Sequence, residues 1–406
     1  MTGFEPAALL AAAEAALPDL LPFRRELHRH PEVGLELPDT QASIAAELRR
    51  LGLEPRLGKG LSSVVAVVEP AGGRGAGPGT TVLRADMDAL PLQEQSGLQF
   101  ASERAGVMHA CGHDTHMTML LLAARLLVER RLSLPGPVIL MFQPGEEGFA
   151  GAKLMLDEGL LDGLEPATTR AFALHVWSTL PSGEIHLRAG TQMASADSYR
   201  IILTGRGGHA SKPHHAIDPI PAAAELITAL QVAASREVDI FDPAVLTITQ
   251  VHAGTTHNII PETAFLEGTL RTLSNGRRDA MLALIERVAN AIAAQHRLGL
   301  EFELDIAYPV TVNDAGVVEH VANLASEMLG ADRVPAMPAP MMGAEDWSYV
   351  LQQVPGAMAF LGTRPPEVDP ATAPTNHSNR VVFHEPAMAV GGAMYAGFAL
   401  SGGRSS

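Results

Sequence analysis

The hydrophobic pattern of this chain changes character twice, and that double change restricts its fold more than any single motif. Up to about residue 188, short apolar runs alternate with helix-period segments. Residues 63–68 read as a Val-rich strand, 81–85 as another, 115–131 as a helix, 138–142 as a buried strand, and 170–174 as a strand ending at His175. Asp39-Thr40 reads as the cap of a helix whose apolar face is Ile44, Leu48 and Leu51, and the Gly/Pro-rich stretch 71–79 reads as an exposed turn. From about Ser198 the order becomes strand 199–205, helix 219–235, strand 245–251, strand 264–272, helix 278–297, strand 301–307. This βαββαβ order is that of a ferredoxin-like split unit, a self-contained small domain. After Tyr308-Pro309 the alternation of helix and strand resumes. A chain of 406 residues also exceeds what one core organises, so two domains are expected. The fold class expected is α/β: a discontinuous domain of residues 1–188 and 309–406, built on a mixed sheet, with residues 189–308 inserted as the βαββαβ domain. One large α/β domain is the alternative.

Formal net charge is −16, from 45 acidic against 29 basic side chains, with no dense Lys/Arg stripe. That balance argues against nucleic acid as a partner. A single cysteine excludes an internal disulfide and fits a reducing compartment. The first thirty residues read as an Ala/Leu-rich helix carrying Glu14, Asp19 and Glu26, without the pattern of a signal peptide. The apolar stretch 117–128 is too short to span a bilayer and is interrupted by Arg125, so it reads as a buried helix. A cytoplasmic, soluble protein with no membrane partner is expected.

The one cysteine, Cys111, sits in the segment HACGHDTH at 109–116, at the mouth of that helix. A free cysteine usually behaves as a small buried hydrophobe. Cys-x-His before a helix, with Gly112 allowing close backbone approach, suits thiolate and imidazole ligation of a borderline-soft cation such as zinc. A structural or redox cysteine is the alternative. Glu146-Glu147 follows a buried strand and a Pro-Gly turn. Alone, such a pair is most often solvated surface. Together with Asp86, Asp88 and His175 at strand ends, it supplies what a two-metal hydrolase needs: ligands from several strand ends and one unligated carboxylate as general base. Neighbours on an extended loop point opposite ways, so one glutamate is expected to face a metal and the other the attacking water.

Further segments extend the pattern: HRHPE at 28–32, RADMDALP at 84–91, FQPGEEG at 142–148, GRGGH at 205–209 with Pro213-His214, NIIP at 258–261, GTLR at 268–271, GAED at 343–346, and His377. In this joint order they resemble the metallo-amidohydrolases that include bacterial N-acyl-amino-acid amidohydrolase, hippurate hydrolase and the plant auxin-amino-acid conjugate hydrolases, relatives of aminoacylase and carboxypeptidase G. The resemblance implies that Cys111, His113, Glu147, His175 and His377 ligate two divalent metals, with zinc, manganese, cobalt and nickel all open. It implies that Glu146 is the general base and that Asp88 braces the metal cluster. It also implies that the inserted domain is a lid and dimerisation domain. There, His209 reaches the substrate carbonyl of a neighbouring subunit, and Asn258 and Arg271 hold the substrate carboxylate. Where the wider superfamily has a histidine ligand this chain has Asp86, and near its aspartate bridge this chain has Cys111, both as in the hippurate-hydrolase branch.

The activity so implied is metal-dependent hydrolysis of the amide bond of N-acyl-L-amino acids by a homodimer or homotetramer. A dipeptidase or N-carbamoyl-amino-acid hydrolase on the same metal core is the alternative within enzymes, and an inactive small-molecule-binding protein the alternative outside them. Other residues carry blander readings. His28 and His30 end a helix, where imidazole suits the dipole; His116 reads as structural or supporting; the Met-rich run 337–342 and Trp347 read as core or pocket wall. His209 could be a surface histidine and Arg271 an exposed strand residue.

Overall fold

The computed structural model of the chain describes residues 4–72 and 79–402. Most of the stretch expected as an exposed turn at 71–79, residues 73–78, therefore lies outside the described residues. In chain order the main elements are α1 (Pro6–Arg29), α2 (Pro38–Arg50), β1 (Val64–Val68), β2 (Thr81–Asp86), α3 (His113–Glu129), β3 (Val138–Gln143), α4 (Gly151–Asp157), β4 (Arg170–Pro181), β5 (Ala196–Thr204), α5 (Pro219–Glu237), β6 (Ala244–Ala253), β7 (Thr263–Thr272), α6 (Asn275–Gln295), β8 (Gly299–Tyr308), α7 (Ala315–Leu329), β9 (Gly356–Arg364) and α8 (Ala387–Leu400). They gather into two compact units. One takes in the chain up to Gln192 together with Val312–Ala339 and the stretch from Asp346 onward; the other takes Met193–Thr311 and Pro340–Glu345.

The first unit is built on a seven-stranded sheet in the order Arg56–Leu57, β1, β3, β2, β4, β9, Ile185–His186. Strands β3, β2, β4 and β9 run parallel, while the outer strands pair antiparallel, so the sheet is mixed. Parallel strands covered on both faces read as unbroken apolar runs, and β2 and β3 are buried at every residue. Because β3 lies on one side of β2 and β4 on the other, the carboxyl end of β2 is a topological switch point, where open α/β sheets bind ligands. Pairing of β2 with β4 stops at Arg84 and Ala173, but β4 runs on beside β9 with His175 opposite Phe360. His175 therefore stands inside its strand and not at its end. The extension was hidden because its partner strand lies far along the chain and 177–181 is not an apolar run.

Helices α3 and α8 pack against the sheet as core helices, α3 on β2 and β4 and α8 on β4 and β9: α8 is buried along its whole length and α3 everywhere except Arg125, Val128 and Glu129. Helix α1 is long and apolar enough to cross a membrane by length and composition, yet Leu9, Ala13, Leu17 and Leu27 belong to the core of the first unit. The cap expected from Asp39-Thr40 comes instead from Glu32, whose carboxylate accepts the Thr40 N–H at 2.8 Å, because Pro38 opens α2 and places both residues in its first turn. Met342 of the Met-rich run is 41% exposed and so is not core, whereas Trp347 is fully buried, as a core residue.

The second unit is an all-antiparallel sheet in the order β6, β7, β5, β8, with α5 and α6 sharing one core with its strands. Buried positions alternate with more exposed ones along β7, as in a sheet packed on one face. Asp218 caps α5 and Ser274 caps α6 through side-chain acceptors, which fixes where each helix begins.

Candidate metal centre

Gly112 decides how the cysteine loop meets the sheet. It holds φ +89° just before α3, and a Cβ there would lie 2.4 Å from Val176 Cγ2 and 3.0 Å from the Phe383 ring. Only glycine fits both conditions. The approach sets Cys111 Sγ 3.3 Å from His175 Nε2 and 3.3 Å from His377 Nε2. On the first turn of α3, His113 donates from Nδ1 to the Asp88 carbonyl at 2.7 Å, which leaves Nε2 turned inward, buried and without a hydrogen bond. His175 donates from Nδ1 to the Val176 carbonyl at 2.8 Å, so its lone pair also sits on Nε2.

Glu146 and Glu147 lie in a tight turn closed by the Gly148 N–H on the Glu146 carbonyl at 2.8 Å, not on the extended loop expected. Their side chains accordingly do not diverge: His113, Glu146 and Glu147 each bring one ligand atom within 4.8 Å of the others. Cys111, His113 and His175 meet the same condition, as do Cys111, Glu147 and His377. Glu147 Oε1 is 3.1 Å from His377 Nε2. The Asp88 carboxylate anchors the turn, accepting the Glu146 N–H at 2.9 Å and the Glu147 N–H at 3.1 Å.

A layer of buried polar groups supports these donors. Asp86 accepts from His116 Nδ1, and His116 Nε2 accepts the Val176 N–H at 2.8 Å, so neither nitrogen of His116 is left for a cation. Arg84 donates to Asp86 at 2.7 Å, to Asp346 at 3.0 Å and to Gln143 at 2.9 Å, tying the ends of β2 and β3 to the Asp346 segment. His28 stands in the last turn of α1, as expected, but faces inward. It is buried, with Nδ1 2.8 Å from Asp114 and Nε2 3.2 Å from Glu94, because the last turn of α1 packs against the start of α3. His109 is buried with both nitrogens unpartnered among the described residues, and burial pulls its pKa down to about 3, which keeps it neutral. Asn376, which the sequence did not single out, joins the loops around Cys111, His175 and His377.

The electrostatics favour a cation. Burial pushes the Cys111 thiol well above its usual range, and the charges of Glu147, Glu146 and Asp86 push the same way. Burial also disfavours a charged His113, but Asp86, Asp88 and Glu147 overcome it and raise its pKa to about 10. Burial keeps His175 neutral, with His116 adding to the effect. Crowded carboxylates that drag a proton onto a buried imidazole occupy a position where a divalent ion would sit more favourably. The Nε2 of His113, without a hydrogen bond and 3.5 Å from Asp86 Oδ2, and the mixed thiolate, imidazole and carboxylate set fit divalent cations of the zinc type.

In the second unit, His209 lies on the short strand Gly208–His209, paired with Ile259, and its Nδ1 is 2.8 Å from Ser211 Oγ. Asn258 is its neighbour: the Asn258 carbonyl accepts the Ala210 N–H at 3.1 Å. Arg271 is elsewhere, on β7 opposite Val245, half-buried, its pKa lowered by that burial despite Asp197.

Residues 82–401 match the family described as peptidase family M20/M25/M40. Thermostable carboxypeptidase 1 of Saccharolobus solfataricus is 38% identical over 382 residues, covering 93% of this chain and 93% of that one. N-acetylcysteine deacetylase of Bacillus subtilis is 40% identical over 348 residues, covering 85% and 88%. The crystal structure of the Bacillus subtilis YXEP protein, described as a dinuclear metal binding peptidase from the M20 family, superposes with a TM-score of 0.81. It is 34% identical, over 95% of this chain and 98% of that one.

Proposed function

The chain belongs to the peptidase family M20/M25/M40 and is a hydrolase of amide bonds, and on that premise we propose that it cleaves N-acyl-L-amino acids at a two-cation centre. The observation that carries this reading is the cluster of Cys111, His113, Glu147, His175 and His377 donors with the Glu146 carboxylate set against it. Divalent cations held by those five residues would supply Lewis acidity for the amide carbonyl and for the attacking water. Glu146 takes a proton from the water and passes it to the amine nitrogen as the C–N bond breaks. Asp88 holds the backbone of both glutamates through its carboxylate and the ring of His113 through its carbonyl, so one residue orients the base and two of the ligands. His209, supplied by the lid and dimerisation domain of a neighbouring subunit, donates to the oxyanion, and Asn258 and Arg271 hold the substrate carboxylate.

This reading makes the enzyme a homodimer or homotetramer, and its single cysteine is consistent with a reducing, cytoplasmic setting. A dipeptidase or N-carbamoyl-amino-acid hydrolase is the second reading, favoured by the likeness to a carboxypeptidase. An inactive binding protein fits less well, since a base and a full donor set are both present. An amine-release assay across N-acetyl, N-benzoyl, N-carbamoyl and dipeptide substrates, with and without manganese, cobalt, nickel or zinc, separates them. Fastest turnover of N-acetyl or N-benzoyl amino acids supports the proposal, and a clear preference for dipeptides or carbamoyl compounds replaces it.

A further inference from the structure

His377 has little packing to hold it. Its side chain is 55% exposed, and its backbone sits at φ +67°, a conformation non-glycine residues keep only where their surroundings enforce it. We infer that the neighbouring Asn376 is a positioning residue whose carboxamide fixes the spacing of Cys111, His175 and His377 before any cation arrives.

Asn376 Nδ2 donates to the Cys111 carbonyl at 3.3 Å and to the Val176 carbonyl at 3.0 Å, and its Oδ1 accepts the Ser178 N–H at 3.0 Å. Both amide hydrogens and the carbonyl oxygen are thus engaged, on the cysteine loop and on both sides of Trp177 in β4. The same loop is tied from two further points: the His377 N–H donates to the Ala110 carbonyl at 2.9 Å, and Ser178 Oγ donates to the Pro374 carbonyl at 2.7 Å. Three segments far apart in sequence meet on one side chain, and each carries or adjoins a donor of the cluster. An aspartate here would set a negative charge against two carbonyl oxygens, and an alanine would release all three bonds. Asn376 touches no reacting atom; it acts through the geometry of its neighbours.

The inference rests on the reading of Cys111, His175 and His377 as cation ligands, so the test separates the two. Metal-free wild type, Asn376→Ala, Asn376→Asp and His377→Ala are titrated with Co²⁺, following the thiolate-to-cobalt charge-transfer band and the visible d–d bands. Thermal unfolding of each metal-free protein is recorded in parallel. The expected result is a retained fold with a modest fall in the melting temperature of both metal-free Asn376 variants, cobalt affinity lowered by about 10–100-fold, and a saturated spectrum shifted toward that of His377→Ala. Wild-type affinity and spectrum in Asn376→Ala would overturn the positioning role alone. So would a lowered melting temperature with unchanged cobalt binding, since that is a purely structural role. No charge-transfer band in wild type would overturn the ligand reading and the positioning role with it. Asn376→Ser, judged by the same measures, replaces the alanine variant if that one does not fold.

Discussion

The carboxylate of Asp88 carries the backbone of Glu146, Oδ1 accepting its N–H at 2.9 Å, while Oδ2 takes the next N–H, that of Glu147, at 3.1 Å. Its own main-chain carbonyl accepts from His113 at 2.7 Å, whereas its carboxylate stays 3.7 Å from that ring. Asp88 thus acts on the imidazole through its main chain and on the glutamates through its side chain.

Asp88→Ala should accordingly disturb the glutamate turn more than the histidine. Turnover is expected to fall about 10–100-fold, with a smaller change in KM and a preserved circular dichroism spectrum. Steady-state kinetics at saturating metal check this. A variant with wild-type kcat would mean the turn holds itself.

Glu146→Gln removes a proton acceptor while leaving the Cys111, His113, Glu147, His175 and His377 donors in place. Bound metal should stay at the wild-type level by elemental analysis while turnover drops roughly 10²–10⁴-fold. Near-normal turnover would assign the base elsewhere.

Gly112→Ala meets two penalties at once, a left-handed backbone and a Cβ 2.4 Å from Val176. Together they should cost about 2 kcal/mol or more in unfolding free energy. Denaturant melts of metal-free protein measure it directly, and a loss below a few tenths of that would show that the loop re-forms around the new methyl.

What the sequence disclosed follows from range. Runs such as 81–85 and 138–142 announce themselves because parallel strands buried on both faces need apolar residues at every position, and Cys111 with His113 stands out because their spacing is local. His377 has no local signature and stood out only through resemblance. The continuation of β4 past His175 depends on β9, the burial of His28 depends on Asp114 and Glu94, and the contacts of Asn376 depend on chain segments some 200 and 265 residues away. Such pairings are created by tertiary contact, and no periodicity encodes them. Even Glu32, only eight residues from Thr40, was missed as a cap because a carboxylate reaching into a helix from outside has no fixed offset.

His28 predicts a pH dependence. Burial alone would lower its pKa, but Asp114 and Glu94, one on each ring nitrogen, raise it against the opposing charge of Arg24. A histidine raised in the folded state adds stability that is fully present below its unfolded pKa, about 6.5, and is lost as pH rises through the folded value. The stability gap between wild type and His28→Gln should therefore be larger near pH 6 than near pH 9. Equal gaps in thermal melts at both values would show that folding leaves the ring's pKa unchanged, and a smaller gap near pH 6 would show that folding lowers it.

The last prediction concerns His209, which stands on the short strand Gly208–His209 in the second unit, whereas Glu146 belongs to the first. If His209 completes a neighbour's active site, His209→Ala and Glu146→Gln chains are each inactive alone but complementary when mixed. In a hybrid dimer, one site combines the intact Glu146 of the His209→Ala chain with the intact His209 of the Glu146→Gln chain. The opposite site lacks both, so each hybrid dimer should show about half the activity of a wild-type dimer, and a fully exchanged equal mixture about a quarter, since about half of its dimers are hybrids. Subunit exchange is followed independently by native mass spectrometry of chains carrying different tags. Exchange without returning activity would place the action of His209 within its own chain or remove it from the mechanism.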